Sequence, residues 1–161
     1  MNSSEQKIFI DSNIWLYRFL HDPKIVPEEY DAKRIIAISL TKTEDCRLVI
    51  STQIINEICA VLKRKTKILE PELLGLIEDL EEQCEIIHIS TMEIKNACSL
   101  REKYFFSYWD SLVIATALKS SASILYSEDM HHGLVIRDSL EIINPFYSKM
   151  ITGYYDDEKN K

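Results

Sequence analysis

Four acidic side chains, Asp11, Glu57, Asp110 and Asp129, stand where chemistry could be done in concert. Asp11 closes the apolar run Ile8-Phe9-Ile10 and is followed by Ser12-Asn13. Asp129 comes two places after Ser127, which follows Ile124-Leu125-Tyr126. Glu57 falls about one turn into the helical stretch after Leu48-Val49-Ile50. Asp110 opens the apolar stretch YWDSLVIATAL. Each acid also has a local explanation. Asp11 can close an Asx turn, Asp129 can serve turn chemistry, Asp110 can favour a helix dipole, and Glu57 can face solvent. Their joint placement near one rim points further. Crowded carboxylates repel and raise one another's pKa values. Hard divalent cations such as Mg²⁺ or Mn²⁺, which prefer oxygen ligands, relieve that repulsion. A cation so held lowers the pKa of a water and stabilises a charged phosphate transition state. The chemistry indicated is metal-assisted phosphodiester hydrolysis.

The elements that must position these acids alternate between short apolar runs and helical spacing. Strands are predicted at 8–10, 48–50, 86–89, 124–126 and 140–143, and helices at 14–20, 28–40, 53–65, 71–83, 91–103 and 108–119. Ser51 or Thr52 can cap the third helix, and Ser90 with Glu93 makes a fuller capping box than Thr91 does. Pro71 suits a helix start. The helix from Tyr108 is apolar nearly all round, which marks it as buried. Short continuous apolar strands separated by helices predict a three-layer α/β/α sandwich with a central parallel sheet of 4–5 strands. In open sheets of this kind ligands bind outside the carboxyl ends of the strands, where these acids fall. One domain is expected over 1–150, with a polar tail over 151–161.

Composition bounds the function. The chain has 161 residues and is 46% hydrophobic, enough for one domain with a real core. A formal net charge of -7 does not advertise a nucleic-acid partner, but it suits a site that concentrates carboxylates around cations. The four cysteines, at 46, 59, 84 and 98, have neither metal-ligand nor redox spacing and are expected to be reduced. No signal peptide is recognisable, and no apolar stretch approaches the ~18 residues of a membrane span. A soluble, cytoplasmic protein with no membrane partner is expected.

At these same residues the sequence resembles the PIN-domain family, and within it the VapC-type toxins of toxin–antitoxin modules. KIFIDSNIWLY resembles the family's opening strand, and STQIINEICAVL the segment with a Glu on the helix after the second strand. SYWDSLVIATAL resembles the third motif, and ILYSEDMHHG the fourth, in which a hydroxyl residue and an Asp follow a strand. The ordered set covers about residues 7–146. The resemblance implies a PIN-like, Mg²⁺- or Mn²⁺-dependent ribonuclease that acts on RNA, forms a homodimer and has an antitoxin partner. It implies that Asp11 and Asp110 are principal metal ligands and that Glu57 completes the site or acts on the attacking water. Asp129 would hold metal through water, in preference to the adjacent Glu128, while Asn13 and Ser127 would orient the carboxylates.

Other groups extend the reading. Lys63, Arg64, Lys65 and Lys67 form the densest basic cluster, and Arg64 lies seven residues after Glu57, on nearly the same helical face. These bases could grip phosphates flanking a scissile bond, or form a solvated helix end favoured by the dipole. His131-His132 could assist a metal or leaving group, or be loop residues. The aromatic run Tyr104, Phe105, Phe106, Tyr108 and Trp109 could stack bases, or fill core and interface. The helix over 28–40 and the loop before it could form an antitoxin-binding surface. Three other functions compete: a non-catalytic RNA-binding domain, a DNA-directed nuclease, and a phosphotransfer domain. The last is disfavoured, because the first strand ends in D-S-N rather than D-x-D and no matching Lys follows a late strand.

Overall fold

Ile8, Phe9 and Ile10 are buried on both faces, and the strand they form is the centre about which the chain is laid out. The computed structural model describes residues 5–24 and 30–148. The elements in chain order are β1 (Lys7–Ile10), α1 (Ser12–Phe19), α2 (Tyr30–Thr41), β2 (Arg47–Ser51), α3 (Thr52–Lys65), α4 (Glu70–Gln83), β3 (Glu85–Ile87), α5 (Thr91–Tyr104), α6 (Tyr108–Lys119), β4 (Ile124–Tyr126), β5 (Val135–Ile136) and β6 (Leu140–Ile143). The expected loop over 21–27, the first turn of the expected 28–40 helix and the tail over 151–161 fall wholly or partly outside the described residues.

The sheet order is β3-β2-β1-β4-β6-β5. β1 pairs in parallel with β2 on one side and β4 on the other; β3 and β6 extend the parallel sheet outward. The connection leaving β1 runs toward β2 and that leaving β4 runs toward β6, in opposite directions. A crevice opens where they diverge, at the carboxyl end of β1. Val49, Ile50, Leu125 and Ile142 continue the fully buried layer begun by Phe9 and Ile10. Such strands, apolar on both faces, need helices on both faces. The helices pack mainly as α1 against α2 and α3, and α5 against α6.

The sheet has one strand more than expected. β5 runs antiparallel to β6, with Ile136 opposite Leu140. The turn between them holds Arg137 and Asp138 at φ 48 and 54 and is closed by the Ser139 amide donating to the Ile136 carbonyl at 3.1 Å. Hairpin turns with two left-handed residues usually advertise themselves as Asn-Gly or Asp-Gly. Here Arg-Asp does the work, and a two-residue strand shows no alternation, so the hairpin carries no sequence signal.

The expected helix starts have their expected chemistry. Ser51 caps α3, its hydroxyl accepting from the Ile54 amide at 3.3 Å. α6 is buried continuously from Ser111 to Ala117. Its polar members are satisfied within the helix: Ser111 and Thr116 donate to the Tyr108 and Leu112 carbonyls, each at 2.7 Å. The Ser90–Glu93 capping box forms at α5. The buried Glu93 carboxylate accepts from the Ser90 amide at 2.7 Å and hydroxyl at 2.6 Å, and pairs with Lys119 of α6 at 3.0 Å. The Ser90 hydroxyl above all, with the Ser90 amide and Lys119, holds this carboxyl down at about 2.

Glu93 thus ties α5 to the far end of the helix that carries Asp110. A carboxyl held low contributes stability that is present above its ordinary value and is lost as pH falls towards 2. Glu93→Ala should lower the free energy of unfolding by about 1–2 kcal/mol at neutral pH. Urea titration should find most of that difference gone below pH 3.

Candidate active site

Asp11 follows β1 directly and caps α1, so its backbone belongs to the sheet and its side chain to the helix. Its amide donates to the Tyr126 carbonyl at 3.0 Å, locking it to β4. The carboxylate is buried. One oxygen accepts from the Ser12 amide at 2.8 Å and the other from the Ser127 hydroxyl at 2.9 Å. Ser127 is itself fully buried and fixed by its amide, which donates to the Ile143 carbonyl at 3.0 Å. The carboxylate that Ser127 touches is thus Asp11.

The four acids are linked electrostatically. Burial drives the Asp11 carboxyl up to about 6; the two hydrogen bonds oppose this, and the nearby charges of Glu57 and Asp110 add to it. Asp129, at the exposed lip, is also raised, first by desolvation, then by Glu128, with Asp110 contributing again. Asp110 therefore acts on both Asp11 and Asp129, as expected if the acids share a rim. Glu57 is half-buried and accepts from Gln53 Nε2 at 2.8 Å. Asp110 is half-buried in the first turn of α6, where its amide donates to the Ser107 hydroxyl at 3.1 Å. Its helix-end role and its proximity to the other acids hold together.

The adjacent acids Glu128 and Asp129 part company. Glu128 turns inward, accepts from the Tyr17 hydroxyl at 2.6 Å and pairs with Lys33 of α2. Asp129 turns toward the rim and accepts from the Asn13 side-chain amide.

The basic cluster divides as well. Lys63 is paired with Glu70 at the start of α4. Arg64 and Lys65 instead line a groove of about 390 Å³ whose other end is Asn13 and Asp129. A neighbouring groove of about 940 Å³ shares Arg64 and Lys65 and adds Lys24 and Lys67. His132 does not face the acids: its Nδ1 accepts from the Asn144 amide at 3.1 Å and its ring stacks on Tyr147 at 4.1 Å. In the aromatic run, Tyr104, Phe106 and Tyr108 pack against the core, whereas Phe105 and Trp109 are exposed.

Two contributors to the site were not anticipated. Gln53, which holds Glu57, stands four residues before it, and that spacing is legible as a same-face helix pair. Lys33 reaches Glu128 across 95 positions of sequence, and no local pattern announces it.

The donor set fits a hard cation. Among the described residues no three acidic, imidazole or thiol groups are drawn into a closed coordination sphere. Mg²⁺ does not require one, because it dehydrates reluctantly and binds proteins through one or two carboxylates with several waters retained. The ligands on hand are mutually repelling oxygens. The buried Gln53 Oε1 beside them has no partner among the described residues and can accept from a bound water.

The fold is an open, mostly parallel α/β sheet with acids around the end of its central strand. The family model of the PIN domain matches residues 8–133, and the chain belongs to that family. No curated protein matches it. Among solved structures it is similar to a toxin–antitoxin complex from Klebsiella pneumoniae (17% identity, TM-score 0.62, covering 86% of this chain and 97% of that one). It is similar also to Mycobacterium tuberculosis VapC20, described as a sarcin–ricin loop cleaving toxin (14% identity, TM-score 0.57, 76% and 89%). A third is VapBC2 from Rickettsia felis bound to a fragment of promoter DNA (16% identity, TM-score 0.55, 86% and 100%).

The raised Asp11 carboxyl has a consequence for stability. Folding favours its protonated form, so the contribution is full below the ordinary value near 3.8 and is lost as pH rises through about 6. In metal-free buffer Asp11→Asn should therefore stabilise the protein at pH 7.5 by about 2 kcal/mol and leave it nearly unchanged at pH 3.5. Urea unfolding in EDTA checks this; a variant that is less stable at both pH values would contradict it.

Proposed function

We propose that this chain is a divalent-metal-dependent endoribonuclease and the toxin of a toxin–antitoxin pair. The observation that carries the reading is the buried Asp11 carboxylate at the end of β1, held by Ser12 and Ser127 and near enough to Glu57 and Asp110 to feel their charge. Membership in the PIN family supports it, and so does similarity to solved toxins, one described as cleaving the sarcin–ricin loop.

Asp11, Asp110 and Glu57 would hold Mg²⁺ or Mn²⁺, with Asp129 acting through water. The ion supplies a Lewis acid at the phosphate and a water of lowered pKa. The protein's own groups do the rest. Ser12 and Ser127 fix both oxygens of Asp11. Gln53 holds one oxygen of Glu57 and leaves the other either to complete the site or to act on the attacking water. Asn13 aims Asp129. Arg64 and Lys65 grip phosphates of the same strand along the groove that ends at Asp129. Lys63, engaged by Glu70, adds charge without direct contact.

Such a toxin acts in the cytoplasm, pairs with a second copy of itself and is held inactive by an antitoxin. The Klebsiella pneumoniae structure, itself a toxin–antitoxin complex, supports the last partner. α2 and the segment before it are the surface assigned to that antitoxin.

Incubation with a mixed RNA pool and Mn²⁺ should yield discrete cleavage products. Asp11→Asn should slow cleavage more than about a hundredfold, and Ser127→Ala about ten- to a hundredfold. RNA left intact by the wild type, or cleaved equally by Asp11→Asn, would end the nuclease reading. DNA cleaved in preference to RNA would redirect it. In Ca²⁺, which occupies the site without supporting cleavage, the Arg64→Ala, Lys65→Ala double variant should bind RNA more weakly. Its salt dependence should fall by about two phosphate contacts. Unchanged affinity would remove the grip.

A further inference from the structure

Trp109 is large, apolar and 63% exposed, and it immediately precedes Asp110 in the first turn of α6. Consecutive helical residues project about 100° apart, so the indole leaves α6 on the face adjoining the one that carries the Asp110 carboxylate. Two contacts make the position rigid. The Tyr108 ring, half-buried against the core, meets the indole edge to face at 5.1 Å. The Trp109 carbonyl accepts at 3.5 Å from Gln53 Nε2, the same group that holds Glu57. One side-chain amide thus couples the backbone under the indole to a carboxylate of the site. Arg101 lies 5.7 Å from the Tyr108 ring centre and brings a cation to the same corner.

We propose that Trp109 is a stacking platform for the base next to the scissile phosphate. The inference rests on the nuclease reading. A phosphate brought to Asp110 carries its adjoining base to within a residue's reach of the indole, and a base in a duplex is already stacked on its neighbours. Aromatic stacking takes any base, because each has a π-face. A protein surface docked on the indole would instead cover Asp110 and close the site. Trp109 takes the base, while Arg64 and Lys65, on the groove reaching Asp129, hold the backbone away from the indole.

The chain has two tryptophans, and Trp15 is fully buried, so changes in indole emission on adding a polynucleotide report on Trp109. In Ca²⁺, a single-stranded RNA that the enzyme cleaves in Mn²⁺ should quench wild-type emission, and its duplex form should not. Trp109→Leu should lose the quenching and lower kcat/KM roughly tenfold to a hundredfold, and Trp109→Phe should keep most of the activity. An abasic nucleotide beside the cleavage site should cost the wild type a similar factor and cost Trp109→Leu nothing further. Asp11-dependent cleavage with no quenching, or an abasic penalty undiminished in Trp109→Leu, would overturn the platform and leave the nuclease standing. Emission that responds to protein concentration and not to RNA, with Trp109→Leu converting a dimer to monomers, would assign the indole to a second copy and overturn it too. Quenching with no Asp11-dependent cleavage would sustain the stacking surface and remove the nuclease.

Discussion

A carboxylate buried at the end of the central strand is the constraint on which the rest of the molecule depends. An ionised group removed from water is costly unless it is paired or well hydrogen-bonded. Asp11 receives two donors, a backbone amide and a hydroxyl, both neutral. A lysine or arginine in their place would neutralise the carboxylate and leave nothing for an external cation to do. Lys33, the cation that acts on Asp129, is itself engaged by Glu128, so the charge at the rim stays negative. The second acid of the Glu128-Asp129 pair thus has a structural task, which is to occupy the lysine.

The elements around this constraint divide into a fixed frame and arms, of which α3 is the one that bears on the site. The frame is β1 between β2 and β4, with Ser127 delivered by the end of β4 and Asp110 by a helix buried along most of its length. Geometry at a rim proposed to bind metal must hold to fractions of an ångström, and rigid, fully packed elements supply that. The arms are more exposed. α3 carries Glu57 near its start and Arg64 and Lys65 at its end, so a single helix spans the distance from chemistry to the groove.

Much of this frame was legible in the sequence, because it rests on short-range signals. Three-residue apolar runs, the hydroxyl cap of α3, the Ser90–Glu93 box and the all-round apolarity of α6 each declare an element within a few positions. Ordered motifs then place Asp11, Glu57, Asp110 and Asp129 at strand and helix ends. What stayed hidden is non-local or lacks its usual spelling. Lys33 and Tyr17 meet Glu128 only because α1 and α2 pack beside the end of β4, and no window of sequence contains both partners. The choice that sends Glu128 inward and Asp129 outward is made by those distant partners. β5 was missed because Arg137 and Asp138 take left-handed conformations that glycine or asparagine would normally signal. For His132 the sequence leaves a site role and a loop role both open; its partners, Asn144 and Tyr147, become neighbours only once β6 is in place.

The short antiparallel hairpin also bears on how the protein behaves in a crowded solution. A parallel sheet built from apolar strands is a hazard at its borders, where unpaired amides and carbonyls can recruit strands from other molecules. On one border β5 offers only two residues before the twisted turn at Arg137 and Asp138 ends the ladder. On the other, β3 is three residues long and opens with Glu85, which is clamped by Lys7 and Arg47. Both margins are thus too brief for polymeric growth, and one is also charged, so the molecule can keep an oily interior sheet without seeding aggregates.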